Sequence, residues 1–460
     1  MKKKELIVFV VPDGTGIKNY LFSNIIPILI QKGKDVFIYH SLDENALNEV
    51  RKIHNIEFES KAIPTFKEPF KQKFLREAIA YARLNYNSKI VNNPTILTNW
   101  NSSKKGVLKK AFYFLVEKSG KYLSKKYSRI LNFEEKYQQT IKSTIYKDIQ
   151  FLEKLNPESL FFTHQRSVKA IPILHAAKQL KIKTIGAIYS WDNIPKGRLA
   201  LRTQKYVVWS NYMKKELKFY YPEINEENII ITGSPQFDFY KKESIIDKKE
   251  NFYKTYNLDL SKRTVCFSGG DELTSPYDQN YLQDIAEEIK KNKKENEIQI
   301  LFRRCPVDIS SRYDKVIEKY KDLIIPIHPL WSNDSKHWST LFPYYDDIKL
   351  LANICKHSDL VFNIGSTIAL DFAAFDRPAA YLNYDTCEDK NWSVKTIYNF
   401  EHFKSMPDKN QVFWVNSKND ILKIIEKASK TNFSLGKDWF NIINIDNDNI
   451  SLNIVNQIIK

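Results

Sequence analysis

Cysteine is scarce in this sequence, and none of its 4 cysteines forms a CxxC pair. The 8 histidines are scattered along the chain. This composition argues against a zinc site or a disulfide framework and favours a reducing compartment. No apolar run approaches the roughly 20 residues of a membrane span, and the first one ends at Pro12-Asp13 without a small-residue cleavage site. We therefore expect a soluble, cytoplasmic protein.

The composition is otherwise that of a large globular protein. Its 460 residues are 43% hydrophobic, which supplies large cores and excludes a disordered chain. At roughly 100–200 residues per domain, the length predicts two or three domains. The formal net charge of +17 favours an anionic partner. Nucleic acid, an acidic membrane surface and a phosphorylated substrate all fit this charge.

Strand and helix patterns alternate along most of the chain. Leu6–Val11 is typical of a buried strand, Asn19–Gln31 of a helix, and Asp35–His40 of the next strand. Residues from about 71 to 154 lack strand patterns and predict a helical insertion. The alternation resumes at Leu160–His164. This order indicates parallel sheets with crossover helices.

A second series of strands and helices begins after Gly197. We therefore predict an α/β protein of two Rossmann-like, doubly wound domains that face a cleft, covering residues 1–200 and 201–435, followed by a tail helix over 436–460. Ligands of such sheets bind beyond the carboxyl ends of the strands, which makes the cleft the expected site.

The segment Asp359–Asp385 carries the strongest chemical pattern. A buried strand ends in Gly365-Ser366-Thr367, and a helix begins at once. Hydroxyls and backbone N–H groups at a helix N-terminus bind phosphate, and Asp371, one turn later, is placed to accept hydrogen bonds from a ribose. The same pattern is also typical of an ordinary Ser/Thr N-cap with an acid in the first turn.

This segment resembles the nucleotide-sugar motif of GT-B glycosyltransferases. Phe302-Arg303-Arg304-Cys305-Pro306 and the run from Gly233 to Asp238 also fit. Together they resemble bacterial surface-polysaccharide glycosyltransferases and their relatives, the glycerophosphotransferases of teichoic acid synthesis. The resemblance covers most of residues 185–385. It implies that the donor is held by Gln236, Ser268, Gly269, Gly270, Arg304, Ser366, Thr367 and Asp371.

Within that resemblance, Ser366 and Thr367 would bind the diphosphate, Asp371 the ribose, and Arg304 would neutralise phosphate charge. The chain departs from these families at two places. It has Cys305 where His is common, and it has Asn363 and Asp371 at the positions of the two glutamates of a retaining motif. GT-A enzymes hold Mg or Mn through a strand-end Asp-x-Asp pair. Here Asp346-Asp347 precedes a helix, so we expect no metal and no cofactor.

The first domain is expected to hold the acceptor. Asp13 and His164 each end a predicted strand, and either one is a candidate for the base that deprotonates an acceptor hydroxyl. A turn acid and a helix-capping histidine are the structural alternatives. The acceptor-binding set is predicted to be Gly14, Gly16, Trp191, Asp192 and Asn193, of which the last three also fit an interdomain turn.

The segment Lys104–Arg129 has a basic amphipathic pattern. Leu108, Phe112 and Leu115 share one helical face, while another stripe carries Lys118, Lys121, Lys125 and Arg129. Such a helix can lie on anionic lipid, so peripheral contact with the inner face of the cytoplasmic membrane is one expectation. A solvated helix packed on its own domain is the other.

The sequence thus favours a glycosyltransferase that moves a sugar from a nucleotide-sugar donor to a surface-glycan or lipid-linked acceptor. Transfer of glycerol phosphate or another polyol phosphate from a CDP donor is the alternative within the same fold. Net charge by itself suggests nucleic-acid binding, but no such motif is present, so no nucleic-acid partner is expected. A nucleotide-sugar 2-epimerase shares the fold but needs several cleft acids and histidines that the sequence does not place.

Overall fold

The computed structural model describes residues 5–65, 67–100, 106–142, 144–197, 199–272, 274–332, 341–430, 435–445 and 449–460. The chain forms two compact units, each built on one parallel sheet. The first unit comprises residues 1–235, 400–402 and 445–460, and the second comprises 236–399 and 403–444. The predicted α/β class with two doubly wound domains is confirmed.

The first unit contains a 7-stranded sheet in the order β3-β2-β1-β4-β5-β6-β7. Its strands are β1 (Leu6–Val11), β2 (Asp35–His40), β3 (Glu59–Ala62), β4 (Ser159–Phe162), β5 (Lys183–Ala187), β6 (Lys205–Val208) and β7 (Ile229–Ile231). The strand order reverses between β1 and β4. Such a switch point is where open α/β sheets bind ligands.

The second unit contains a 6-stranded sheet in the order β10-β9-β8-β11-β12-β13. Its strands are β8 (Arg263–Ser268), β9 (Ile298–Arg303), β10 (Ile324–Pro326), β11 (Leu360–Asn363), β12 (Ala379–Leu382) and β13 (Phe413–Val415). Here the order reverses between β8 and β11, which gives this unit its own switch point.

Helices connect the strands of both sheets. Those of the first unit are α1 (Ile25–Gln31), α2 (Glu44–His54), α3 (Phe70–Ile90), α4 (Val107–Leu123), α5 (Tyr127–Ile141), α6 (Tyr146–Leu155), α7 (Ile171–Gln179), α8 (Asn211–Tyr220) and α18 (Ile450–Ile459). The chain enters the second unit within α9 (Pro235–Asp238), and that unit adds α10 (Lys249–Thr255), α11 (Asp278–Lys291), α12 (Asp314–Lys319), α13 (Tyr345–His357), α14 (Ile368–Ala374), α15 (Val394–Tyr398), α16 (Ile421–Lys430) and α17 (Lys437–Ile443).

The central strands are apolar on both faces because helices cover both sides of a parallel sheet. Strand β1, with the sequence LIVFVV, is buried from Ile7 to Val11. Polar residues appear only after the carboxyl end of the strand, where Asp13 and Thr15 follow Pro12 in the next turn. The apolar run thus fixes the position at which polar chemistry starts.

The predicted helical insertion is confirmed and consists of α3 to α6. Helices α3 and α4 approach closely, because a side chain on Gly120 of α4 would lie 2.7 Å from the ring of Tyr81 and 3.0 Å from the carbonyl oxygen of Ala78 on α3. The outer face of α4 carries exposed apolar side chains instead of packing.

The unit boundary differs from the sequence prediction. We expected the second domain to start at residue 201, but β6 and β7 extend the first sheet, and the first unit runs to Pro235. The predicted single tail helix over 436–460 is two helices. Helix α17 belongs to the second unit, whereas α18 returns to the first, where the carbonyl oxygen of Ile458 accepts hydrogen bonds from Ser159 Oγ (3.0 Å) and Lys183 Nζ (2.9 Å).

Candidate active site

The turn after β1 is held by its own polar groups. The carboxylate of Asp13 accepts hydrogen bonds from the backbone N–H of Thr15 (3.2 Å) and from the Thr15 hydroxyl. Gly16 packs against the residue that follows β4, and a Cβ added there would lie 2.6 Å from Cβ of Thr163. Gly14 is buried in the same turn. Gly16 therefore serves the close approach of the β1 and β4 ends.

This approach joins the two candidate bases. His164 comes shortly after the end of β4, on the other side of the switch point from Asp13. Its Nδ1 lies 2.7 Å from Asp13 Oδ2. Both residues are buried, with 6% exposure for Asp13 and 9% for His164. The hydroxyl of Thr15 lies 3.4 Å from the same Nδ1. Sequence reasoning treated Asp13 and His164 as alternatives, whereas the structure makes them one hydrogen-bonded pair.

The electrostatics of the pair define its proton positions. Burial by itself would raise the pKa of Asp13, but the hydrogen bond from His164 and the two Thr15 hydrogen bonds lower it below the ordinary value. Asp13 is therefore an ionised acceptor, and Nδ1 of His164 is the donor. In a neutral imidazole the other nitrogen, Nε2, is then the proton acceptor. This is the arrangement of an oriented general base.

The segment Trp191-Asp192-Asn193 lies inside the first unit. The Trp191 ring is 2% exposed and packs edge-on against His402 with centroids 4.7 Å apart, so it does not present the open face that stacking on a sugar requires. Asp192 pairs with Lys196 at 2.5 Å. Burial would raise the pKa of Asp192, but Lys196 and His402 lower it well below its usual range. These contacts belong to the interior of the fold.

At the second switch point, the Gly269-Gly270 turn after β8 is already in contact with protein groups. A Cβ on Gly269 would lie 2.5 Å from the Tyr313 hydroxyl, and the N–H of Gly270 donates to the Asp278 carboxylate. Ser268, the last residue of β8, is buried. Packing against Tyr313 thus requires a glycine at position 269, and the donor-binding role of the two glycines stays a prediction.

Asp278 and Arg312 complete this turn, and sequence reasoning missed both. Arg312 donates to the carbonyl oxygens of Gly270 (2.8 Å) and Ser275 (2.5 Å). Burial raises the pKa of Asp278 to about 6, although hydrogen bonds from Ser275 and Gly270 oppose the shift. The only sequence signal for Asp278 is its place in the first turn of α11, which is common to many helices.

Arg303 and Arg304 differ in how fully neighbouring groups neutralise their positive charges. Arg303 is buried and forms two 2.9 Å hydrogen bonds with Asp347, so its charge is neutralised within the unit. Arg304 is half-buried and donates to the carbonyl oxygen of Ser310 (3.1 Å), and its separation from the Asp314 carboxylate is 3.8 Å. Arg304 therefore retains more of its positive charge for an anion than Arg303 does.

Ser366 and Thr367 stand at the start of α14, as the sequence predicts. Gly365 has a φ of 57°, which turns the chain, and the N–H of Ser366 donates to Asn363 Oδ1 at 2.8 Å. Thr367 is exposed. The Ser366 hydroxyl accepts a hydrogen bond from the N–H of Ile368 at 3.4 Å. The groups that can still donate at this helix start are thus the N–H of Thr367 and the two hydroxyl protons, a smaller set than a bare helix N-terminus offers.

Asp371 is not directed toward an open surface. It is 4% exposed, and its Oδ1 accepts hydrogen bonds from Gln236 Nε2 (2.8 Å) and the Tyr240 hydroxyl (2.7 Å). The resemblance implies that Asp371 binds a ribose and that Gln236 helps to hold the donor. The structure joins the two in a buried polar contact, which supplies the acceptor and donor that each requires.

Clustered metal ligands and membrane-spanning helices are both absent from the described residues. Among them, no group of three or more His, Cys, Asp or Glu side chains is placed to hold a metal ion. No helix in the described ranges has the length and apolar character needed to span a bilayer.

The basic amphipathic segment is α4 and the start of α5, while Lys104 and the residue after it lie outside the described residues. One face of α4 packs inward through Tyr113, Val116 and Leu123. The opposite face exposes Val107, Leu108, Phe114, Leu115 and Tyr122 together with Lys118 and Lys121. Phe112 is half-buried rather than exposed beside Leu108, and Arg129 lies over the Tyr122 ring at 4.3 Å. The apolar and basic stripes therefore share one surface.

Comparison with solved structures identifies the fold. The structure of S. aureus MnaA with UDP matches with a TM-score of 0.55 and 10% identity over 99% of this chain and 96% of that one. A UDP-GlcNAc 2-epimerase from Methanocaldococcus jannaschii, in complex with UDP-GlcNAc and UDP, matches with a TM-score of 0.51 and 13% identity over 98% of both chains. A glycosyltransferase from Rickettsia africae matches with a TM-score of 0.50 and 14% identity over 100% and 99%.

The chain has the GT-B fold. At these identities the similarity extends to the architecture and not to the reaction. No protein-family model and no curated protein sequence matches the chain. The resemblance to the GT-B fold noted in the sequence is thus confirmed, whereas the narrower resemblance to glycerophosphotransferases stays a prediction.

Proposed function

We propose that this GT-B protein is a glycosyltransferase that uses a nucleotide-sugar donor and deprotonates its acceptor with His164. The observation that carries the proposal is the buried Asp13–His164 pair at the switch point of the first sheet. Nε2 of His164 takes the proton of an acceptor hydroxyl as that oxygen attacks the anomeric carbon. Asp13 keeps the proton on Nδ1 and stabilises the imidazolium that forms, in the manner of other oriented histidine bases.

The donor is proposed to bind in the second unit, at the switch point between β8 and β11. The N–H of Thr367 and the hydroxyls of Ser366 and Thr367 suit a diphosphate, and the partly unneutralised Arg304 suits its charge. Two of the structural neighbours support a nucleotide diphosphate as ligand, since they were solved with UDP or UDP-GlcNAc. Since basic and helix-terminal groups are offered to the diphosphate at this site, we propose that transfer is independent of metal.

The second candidate is epimerisation of a nucleotide sugar, which the 2-epimerase among the neighbours favours. The third is transfer of a polyol phosphate from a CDP donor, in which the same histidine would activate a hydroxyl for attack on phosphorus. The three reactions leave different products. Glycosyl transfer releases a nucleoside diphosphate only when an acceptor is present, epimerisation needs no acceptor, and polyol-phosphate transfer releases CMP.

A two-step experiment tests the proposal. Thermal unfolding is first followed with UDP, GDP, CDP, TDP and CMP, because a ligand of the native state raises stability by RT ln(1 + [L]/Kd). Sugars of the stabilising nucleotide are then incubated with and without lipid-linked and free glycan acceptors, and products are identified by NMR and mass spectrometry. Acceptor-dependent release of nucleoside diphosphate supports transfer. If the sugar changes configuration without an acceptor, the function is epimerisation and not glycosyl transfer.

We also propose that the outer face of α4 brings the protein to an anionic membrane, where a lipid-linked acceptor would reside. The exposed Leu108 and Leu115 can insert at the headgroup boundary while Lys118, Lys121 and Lys125 bind phosphate groups of the lipid. Glu117, a neighbouring acid of the helix, is turned away and accepts a hydrogen bond from the indole of Trp100 at 3.1 Å.

A further inference from the structure

The helical insertion encloses a cavity that the proposed chemistry does not use. The cavity lies in the first unit and measures about 300 Å³. It is bounded by α3, α4, α5 and α7, and by Gly197, Leu199, Ala200 and Arg202. Sites for small molecules span about 300–1,000 Å³. The cavity is therefore large enough for one or two sugar rings and too small for a nucleotide sugar.

Aromatic rings form part of its wall. Trp100, Tyr113 and Tyr137 all line the cavity. Trp100 and Tyr113 are nearly perpendicular, with an interplanar angle of 72° and centroids 5.9 Å apart. Two rings set at such an angle present apolar surface from two directions. The C–H faces of a pyranose pack on surfaces of this kind, because the sugar ring is apolar above and below its hydroxyls.

Charged side chains form the rest of the wall, and each arginine there is paired. Arg83 Nε lies 2.6 Å from one oxygen of Glu134, and Arg202 Nη2 lies 2.8 Å from the other. The carboxylate of Glu223 is the second partner of both guanidinium groups, at 3.2 Å from Arg83 and 2.9 Å from Arg202. Arg76 contacts Glu77 at 3.1 Å. A phosphate or carboxylate ligand would have to compete with these carboxylates for the guanidinium groups. Balanced pairs favour a neutral ligand.

The same wall is nevertheless rich in directional hydrogen-bonding groups. A guanidinium has five N–H groups and a carboxylate about four lone-pair sites, so a paired arginine and glutamate still offer donors and acceptors to hydroxyls. The amide of Gln138 adds one of each. Burial and the nearby charge of Lys178 lower the pKa of His175 to about 4, so this imidazole is neutral and has one donor and one acceptor at pH 7.

The cavity shares a segment of chain with the catalytic pair. Val168 and Ile171 of its wall follow His164 closely in sequence, and the carbonyl oxygen of Gln165 accepts a hydrogen bond from the N–H of Leu201 at 3.0 Å. Gly197 has a φ of 63°, and a Cβ added there would lie 3.3 Å from the backbone nitrogen of Leu84 on α3. The wall is thereby tied both to the insertion and to the residue after His164.

We infer that this cavity binds a neutral saccharide of one or two rings, as a sugar-recognition site for the acceptor. The inference rests on the proposed function for its role, but the binding itself requires neither donor nor turnover. Aromatic walls, balanced charges, a neutral histidine and a volume near the lower limit of small-molecule sites all agree with that ligand class.

The test is a saccharide titration of the full chain, without nucleotide, followed by ligand-observed NMR. The probes are glucose, galactose, N-acetylglucosamine and their common disaccharides, with inorganic phosphate and 1-octanol as anionic and apolar probes. We expect at least one saccharide to bind with a Kd below about 10 mM. Loss of one hydrogen-bonding amide in Gln138→Ala should weaken it about three- to tenfold, and Trp100→Leu about tenfold.

Gln139→Ala is the matched control, because Gln139 is the exposed neighbour of Gln138 on α5 and does not line the cavity. It should leave saccharide affinity unchanged, and thermal unfolding of all three variants shows whether each is folded. Gln138→Ala keeps the test decisive if Trp100→Leu does not fold. The inference is overturned if no saccharide binds, if Gln138→Ala and Gln139→Ala bind equally well, or if octanol or phosphate alone binds in a Gln138- or Trp100-dependent way. Saccharide binding without any transfer would instead contradict only the proposed function.

Discussion

Replacing Asp13 by Asn is the sharpest perturbation of the proposed base. Asp13 and His164 are joined by a 2.7 Å hydrogen bond in a buried setting, and Asp13 is ionised because its pKa is lowered. An asparagine can offer its N–H₂ to Nδ1, which moves the imidazole proton to Nε2 and removes the acceptor that the reaction needs. The fold should survive, since the shapes of the two side chains are nearly the same.

The magnitude follows from the role of the pair. Loss of a general base costs about 10²–10⁴-fold in rate, which is about 2.7–5.4 kcal/mol of transition-state stabilisation. Since the two residues act as a unit, Asp13→Asn and His164→Ala should each lose turnover on this scale, and the double variant should lose little more than the worse of the two. If only one of the two residues acted, as the sequence allowed, the other change would be mild, and the observed contact revises that expectation.

The assay is turnover of the donor found by the nucleotide screen, measured as acceptor-dependent release of nucleoside diphosphate. The stabilising shift by the same nucleotide is measured in parallel and should persist in both variants. Asp43→Asn is the matched control, because Asp43 caps α2 through the N–H of Asn45 (2.8 Å) and asparagine caps equally well. Turnover of Asp13→Asn within about fivefold of the control, or additive losses in the double variant, would refute the dyad.

Three further outcomes are expected. Arg304→Ala should raise the donor Kd about ten- to a hundredfold by titration, since a charge-assisted contact is worth about 1.5–3 kcal/mol; an unchanged Kd removes Arg304 from the site. EDTA should leave transfer intact, and loss of activity that Mn restores would contradict a metal-independent reaction. Vesicles of anionic lipid should float the wild-type protein but not a variant with Gln at Lys118, Lys121 and Lys125, whereas Gln at the equally exposed Lys254 of the second unit should float like wild type.

The lowered pKa of Asp13 predicts how its contribution to folding stability changes with pH. The pKa of Asp13 is lower in the folded protein, so the stabilisation it contributes is present above the ordinary carboxyl pKa of 3.8 and is lost as pH falls through the lower folded value. The Asp13–His164 pair therefore keeps its ionised carboxylate throughout the mildly acidic and neutral range.

Local pattern in the sequence determined much of the fold. The apolar run of β1, the break in alternation at the insertion, and the Ser366-Thr367 helix start were all correctly predicted, because each depends on residues that are close in sequence. The sequence also identified Asp13 and His164 as strand-end polar residues. The side-chain type gives the acid or base chemistry of each residue, and the direction of the strand gives the end of the sheet at which it lies.

Tertiary structure decided which of these residues meet. Asp13 and His164 are separated by 151 positions and pair only because β4 lies beside β1 at the switch point. Asp371 and Trp191 carry suitable groups for a ligand, yet they are buried against Tyr240 and His402, which no local pattern foretells. The unit boundary at Pro235 and the return of α18 to the first sheet depend likewise on long-range packing. Local sequence sets which chemistry each position offers, whereas burial and strand order set which positions act together.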